Sequence, residues 1–164
     1  MTIKGQMKWA KNIKPEYLWY NGIIKSVTAK DQIDPGQPVE VSWPEGSRLD
    51  PNARIYPFKV HRGKQPYDKE HNTLLVPLLS GKDGYWTTLD WDRALGKGQE
   101  SAGLPFSGRF DFVETTYVFP ITHMVAPKEN TLACSECHSR RDSRLANLGG
   151  FYMPGRDQSN WLDI

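Results

Sequence analysis

The chain has 164 residues, of which 38% are hydrophobic, and its formal net charge is +2. No run approaches the roughly 20 apolar residues that a membrane-spanning helix needs, and the charge is too small to indicate nucleic-acid binding. With 14 Gly and 12 Pro among the residues, long helices are expected to be few.

The N-terminal third predicts a short helix and a strand separated by turns. Pro15 favours the first turn of a short helix over 14–18, because proline is common at that position. A turn is predicted at Asp34-Pro35-Gly36. Residues 38–43 alternate with period two and predict a strand.

Three further segments are predicted to be extended. Residues 55–61 form a second strand candidate that Pro57 interrupts, and 73–79 is a short apolar segment that Pro77 restricts to an edge. The aromatic and β-branched stretch 110–119 is also typical of a strand.

Two helices are predicted in the second half of the chain. The first, capped by Thr88 or Asp90, extends to about Glu100, and Gly96 and Gly98 weaken it. Its expected buried face consists of Trp91, Ala94 and Leu95. The second covers about 132–148 and ends at Gly149-Gly150, with Arg140, Arg141 and Arg144 on its solvent side. The predicted fold class is therefore mixed and mostly irregular, with a few short helices and short strands.

The two cysteines stand three residues apart and are followed directly by a histidine: Cys134-Ser135-Glu136-Cys137-His138. This is the C-x-x-C-H pattern of c-type haem attachment. Two thiols one helical turn apart lie on the same face, where they can add to the two vinyl groups of a haem. His138 then projects towards the macrocycle and can bind the iron. The motif predicts a covalently attached haem c held by Cys134, Cys137 and His138.

Other interpretations of the two cysteines remain open. They could cycle as a thioredoxin-like dithiol, although the strand–helix placement of that motif is missing. They could bind zinc together with His123, although His138 directly after Cys137 is poor geometry for tetrahedral coordination. A structural disulfide is a further alternative.

The second axial position of a haem iron has several candidate ligands. His123 lies eleven residues before Cys134, a linker long enough to fold back across a haem. His61 lies between an extended segment and a turn, and Met153 precedes a proline. The position could also stay open for a substrate. Near the motif, four arginines could pair with haem propionates or lie on a solvated face: Arg140, Arg141, Arg144 and Arg156.

Several segments taken together resemble the C-terminal part of octahaem cytochromes c of the tetrathionate reductase type, relatives of hydroxylamine oxidoreductase. The similarity extends from about Trp9 to Asp157. The segments that carry it are 14–17 (KPEY), 55–68 (IYPFKVHRGKQPYD), 103–108 (GLPFSG), 123–127 (HMVAP) and 150–157 (GFYMPGRD).

The resemblance implies a periplasmic multihaem protein that transfers electrons in an assembly reducing sulfur or nitrogen oxyanions, such as tetrathionate, nitrite or hydroxylamine. It implies a fold packed around covalently bound haem. Cys134, Cys137 and His138 match the last haem-binding motif of that family, and His61 and His123 match histidines that serve as distal iron ligands. One of the two would ligate a haem bound elsewhere in the complete protein.

The sequence also departs from the family, because seven attachment motifs and a leader peptide are missing. Residues 1–164 are therefore expected to form a single domain, a C-terminal module of a longer cytochrome, with 1–50 as an extended arm and 51–164 as the haem-associated part. We expect exposed apolar patches and a partner cytochrome chain that covers them. The alternatives are a reductase subunit with an open haem position and a zinc-binding or dithiol protein without haem.

Overall fold

The computed structural model describes residues 14–121, 128–138, 143–145 and 148. Five strands form one sheet in the order β1-β4-β5-β3-β2. In chain order the strands are β1 (Glu16–Tyr20), β2 (Ile24–Ser26), β3 (Val39–Pro44), β4 (Arg54–Asp68) and β5 (Phe110–Pro120). The α-helices are α1 (Tyr85–Thr88), α2 (Trp91–Ala102) and α3 (Cys134–Cys137), and a 3₁₀ helix covers Lys128–Asn130.

Strand β1 pairs antiparallel with β4, from Glu16 opposite Phe58 to Tyr20 opposite Arg54. Strand β3 pairs in parallel with β5, with Val39 opposite Thr115. The mixed class with few helices agrees with the sequence prediction, whereas β4 with 15 residues and β5 with 11 are longer than the short strands expected. The strands predicted over 38–43 and 110–119 are confirmed as β3 and β5.

Two local predictions in the sheet are wrong. Residues 16–20 are a strand and not part of a helix, because the ring of Tyr20 packs edge-on against Tyr56 and Phe58 of β4. These tertiary contacts override the local preference set by Pro15. Strand β4 also continues through Pro57, whose carbonyl accepts a hydrogen bond from Ile121 N at 3.0 Å. Pro57 is also paired opposite Tyr17 of β1, so the strand continues although proline has no N–H to donate.

The chain divides into two compact units, and β4 and β5 have residues in both. The first unit includes residues 26–42 and 61–117, and the second includes 12–25, 43–60 and 118–164. The core of the first unit is a cluster of Val39, Leu74 and Val113, with Val27, Ile33, Val41 and Tyr67 packed against it. Its helix α2 buries Ala94 and Leu95 completely.

The second unit has its own buried side chains, centred on Phe58. The Phe58 ring is fully buried and makes edge contacts with Tyr20 and Tyr56 at centroid distances of 5.5 and 5.6 Å. Val118 and Leu145 are also buried in this unit. The predicted boundary at residue 50, between an extended arm and a haem-associated part, stays a prediction.

The predicted helix over 90–100 is confirmed as α2. Asp90 is its N-cap and accepts a hydrogen bond from Arg93 N, and Gly103 ends it in the left-handed conformation. Of the predicted buried face, Ala94 and Leu95 are fully buried, while Trp91 is half-buried. Gln99 is also buried. Its amide is satisfied there, because Oε1 accepts a hydrogen bond from Val76 N and Nε2 donates one to Pro105 O.

The two glycines inside α2 have different roles. A Cβ atom added at Gly98 would lie 1.9 Å from Val76 O and 2.7 Å from Leu78 N, whereas one added at Gly96 would meet nothing within 4 Å. Gly98 therefore lets the helix approach the backbone of 76–78, while Gly96 only weakens the helix.

We expect Gly98→Ala and Gly96→Ala to change the free energy of unfolding in opposite directions. Gly98→Ala should destabilise the fold by about 2 kcal/mol or more, because the backbone of 76–78 must move. Gly96→Ala should stabilise it by about 0.5–1 kcal/mol through helix propensity alone. Urea titrations followed by circular dichroism measure both. Equal effects from the two variants would contradict the close packing at Gly98.

Asp68, at the end of β4, is a fully buried carboxylate that organises the loops around it. Its Oδ1 accepts hydrogen bonds from Glu70 N, His71 N and Ser107 Oγ at 2.8–3.0 Å, and its Oδ2 accepts from Ser107 N at 2.7 Å. Burial alone would raise the pKa of Asp68, but these hydrogen bonds outweigh it and lower the pKa from 3.8 to about 2.

We expect Asp68→Asn to destabilise the protein by about 2–3 kcal/mol at pH 7, because the amide places a donor against backbone N–H groups. The lowered pKa means that the ionised carboxylate stabilises the fold above pH 3.8 and that this contribution, about 2 kcal/mol, disappears as the pH falls towards 2. The difference in unfolding free energy between wild type and variant should therefore shrink over that range. Asp92→Asn, at an exposed position of α2, is the matched control and should leave the unfolding free energy nearly unchanged at every pH. A pH-independent difference for Asp68→Asn would refute this account.

Candidate haem-attachment site

The predicted attachment motif lies on α3, a single helical turn in the second unit. The turn is closed by His138 N, which donates to Cys134 O at 2.8 Å. At its start Ala133 N donates to Glu136 Oε2 at 3.1 Å, which satisfies one of the free N–H groups of the helix N-terminus. None of the four helical residues is buried.

The two cysteines do not form a disulfide; Cys134 is exposed and Cys137 is half-buried. At i and i+3 of a helical turn their side chains lie on the same face. His138 follows as the C-terminal cap and is exposed. The structure therefore brings together the three residues predicted to hold a haem, and two thiols plus an imidazole are the donors that haem c attachment uses.

The predicted helix over 132–148 is wrong in its length. In a continuous helix the carbonyl of Glu136 would accept from the residue four positions later. It accepts instead from Arg144 N at 2.8 Å, and the carbonyl of Cys137 accepts from Ser143 Oγ at 2.6 Å. These bonds turn the chain back onto α3. Residues 139–142 and 146–147, and the predicted stop at Gly149-Gly150, lie outside the described residues.

Arg144 was predicted on the solvent side of that helix, but it is partly buried and pairs with Glu136. Its Nε and Nη2 donate to Glu136 Oε1 at 3.1 and 2.8 Å, and its side chain is 21% exposed. Hydrogen bonding from Arg144, with a smaller contribution from Ala133 N, lowers the pKa of Glu136. This pair was not predicted from the sequence, in which the available signal was a carboxylate inside the motif and an arginine eight residues later. Arg140, Arg141 and Arg156 lie outside the described residues.

His61, a candidate iron ligand, lies on β4 and belongs to the first unit. Its ring stacks on Tyr117 of β5, with centroids 4.8 Å apart and planes only 8° apart. Tyr117 covers one face of the His61 ring. A metal ion binds an imidazole through a nitrogen in the plane of the ring and not through a face. The His61 side chain is exposed. His123 and Met153, the other candidates, lie outside the described residues.

Within the described ranges, no group of three or more His, Cys, Asp or Glu side chains is arranged to hold a metal ion. The zinc alternative relied on His123, on which the structure gives no information. In the same part of the chain, no helix combines the length and apolar character needed to cross a membrane.

Two cysteine thiols on one helical turn, followed directly by a histidine, are typical of the haem-attachment motif of c-type cytochromes. The family described as bacterial cytochrome c matches residues 1–141, and the chain belongs to this family. The chain is also similar to the octaheme cytochrome c from Shewanella oneidensis. The two proteins share 38% sequence identity, the match covers 93% of this chain, and its TM-score is 0.83. None of the curated proteins compared with the chain matches it.

The predicted resemblance to the C-terminal part of octahaem c-type cytochromes is therefore confirmed. The protein is a c-type cytochrome, and its cofactor is covalently bound haem c. The match covers 36% of the octaheme protein, so the chain spans about a third of the length of that relative.

Proposed function

We propose that this chain holds one haem c through Cys134, Cys137 and His138 and transfers electrons within a larger multihaem assembly. The observation that carries the proposal is the turn α3, which presents two free thiols on one face and the histidine directly after them. The 38% identity to an octaheme cytochrome supports the same assignment.

Each residue of the motif has a defined part in this function. The thiols of Cys134 and Cys137 each add across a vinyl group, sulfur bonding to one carbon and its hydrogen passing to the other, so that no oxidant is needed. His138 would hold the iron through a ring nitrogen and would help to set its potential. When bound, haem supplies the one-electron chemistry, which no side chain of this motif could supply alone.

The wider assembly is proposed on two grounds. The chain spans about a third of the octaheme relative, and large apolar side chains are exposed on it, among them Leu49 at 91%, Phe119 at 55% and Trp86 at 43%. Apolar side chains of this kind are typical of an interface with a partner where they lie next to one another in a patch. We propose a partner cytochrome chain or segment, a periplasmic location, and sulfur or nitrogen oxyanions such as tetrathionate or nitrite, or hydroxylamine, as substrates of the whole assembly.

Covalent haem should depend on both cysteines. Produced in a host with the cytochrome c maturation machinery, the wild-type chain should show the sharp α-band of reduced haem c, retained after acid–acetone extraction. The double variant Cys134→Ala/Cys137→Ala should lose the haem colour that survives extraction, because no thioether bond can form. Each single variant can form at most one thioether bond. The matched control is Ser135→Ala, at an exposed residue of the same turn, which should load normally. A colourless wild-type protein that contains zinc would contradict the proposal and support the non-haem alternative.

The sixth ligand should be a histidine. We expect a low-spin spectrum in the wild type and high-spin bands in His61→Ala/His123→Ala, because the second imidazole is lost; the single variants identify which residue supplies it. His71→Ala is the control, since His71 lies in the turn organised by Asp68. A five-coordinate, high-spin wild type would instead support a reductase subunit with an open iron position, and a double variant that stays low-spin would contradict both assignments.

A further inference from the structure

The turn between β1 and β2 contains the only asparagine of the chain that a glycine follows, Asn21-Gly22. Gly22 is exposed and has a φ of +101°, a backbone conformation that other residues rarely adopt. The turn therefore requires glycine at this position. Nothing lies within 4 Å of the point that a Cβ of Gly22 would occupy, so its backbone nitrogen is open to approach.

The Asn21 side chain is fixed at both of its polar atoms. Its Oδ1 accepts a hydrogen bond from Ile23 N at 3.1 Å, and its Nδ2 donates one to Asp50 Oδ2 at 2.9 Å. The bond from Ile23 N closes a local loop of the kind that asparagine side chains form in turns. Both Asn21 Cγ and Gly22 N are members of that loop, so the side-chain amide is folded over the glycine peptide.

The surroundings of this amide favour attack on its carbon. Within the part of the chain that the structure describes, Gly22 N donates no hydrogen bond, so water can take its proton. The N–H of Ile23 points at the oxygen on which negative charge develops, as an oxyanion donor does. The Asp50 carboxylate faces the amide nitrogen that leaves. Hydrogen bonding from Asn21 is the main cause that holds the pKa of Asp50 below its ordinary value, so this carboxylate is ionised at neutral pH.

We propose that Asn21 is a site of spontaneous covalent modification, at which Gly22 N attacks the side-chain amide and the asparagine becomes aspartate or isoaspartate. Gly22 N loses its proton to water or hydroxide and bonds to Asn21 Cγ, while the bond from Cγ to Nδ2 breaks and ammonia leaves. One water molecule then opens the five-membered imide at either of its carbonyl groups. The reaction needs no oxidant and no cofactor, so it does not rest on haem attachment.

The modification removes a contact that joins two turns of the second unit. Asn21 N donates to Glu45 O at 2.8 Å, and Glu45 N donates to Ile23 O at 2.9 Å, on either side of the reacting peptide. The product carboxylate faces Asp50, and two carboxylates at such a distance oppose each other's ionisation. An isoaspartate also lengthens the backbone by one carbon between the two bonds. Because the reaction is irreversible, the change accumulates with the age of the molecule and weakens this junction.

The test follows the purified full chain by peptide mass mapping during incubation at mildly alkaline pH. The peptide that contains Asn21 should gain the mass difference between an amide and an acid at least as fast as a free peptide with the sequence of residues 18–25. The isoaspartate form should also accept a methyl group from an isoaspartyl methyltransferase. Asn52, which Ala53 follows in the neighbouring turn, is the internal control and should keep its amide. Conversion slower than in the free peptide overturns the proposal, because the fold then protects the amide.

A matched variant tests the effect on stability. Asn21→Gln keeps an amide, but its longer side chain would have to close a six-membered ring, so it should stay unmodified over the same time. The urea midpoint, measured by circular dichroism, should be lower in aged than in fresh wild type and equal in aged and fresh Asn21→Gln. Comparing each protein with its own fresh sample removes any effect of the substitution itself. An equal loss in both proteins, or none in converted wild type, overturns the weakening of the junction. A chain that loads no haem overturns the proposed function and leaves this result unaffected.

Discussion

Segments without regular structure leave backbone N–H groups that must find acceptors, and in this protein buried or half-buried side chains supply many of them. Asp68 accepts from three such groups, Gln99 accepts from Val76 N and donates to Pro105 O, and Glu136 accepts from Ala133 N. Each of these side chains joins a regular element to a loop that has no partner strand. The arrangement suits a chain rich in Gly and Pro, in which helices and strands alone cannot satisfy the backbone.

The same constraint shapes the site. The turn α3 has no buried residue, so hydrogen bonds and one ion pair replace the apolar packing that orders a longer helix. This is compatible with a segment whose apolar neighbour is a cofactor, since a haem face supplies packing that the chain itself does not. Exposed side chains such as Leu49 and Phe119 fit a chain that spans about a third of its octaheme relative.

Much of the fold followed from local pattern. Strands β3 and β5 and helix α2 were predicted because period-two alternation, β-branched content and an Asp90 cap are signals carried by neighbouring residues. The wrong predictions, which concern β1, β4 and α3, have a common physical cause. Tyr20 of β1 packs on β4, and Pro57 of β4 is paired with β1 while its carbonyl accepts from Ile121 N. At the end of α3, the Glu136 carbonyl accepts from Arg144 N. In each case a contact distant in sequence decided the outcome.

The sequence by itself predicted the chemistry of the site, because the order Cys-x-x-Cys-His supplies two thiols and an imidazole at the spacing that is typical of haem c attachment. It also determined the family, through segments such as 55–68 that carry the similarity. Only the tertiary structure decided how that turn is held. The pairing of Glu136 with Arg144, and the close packing that requires Gly98 but not Gly96, depend on which backbone lies opposite. Sequence spacing contains no information about that neighbour.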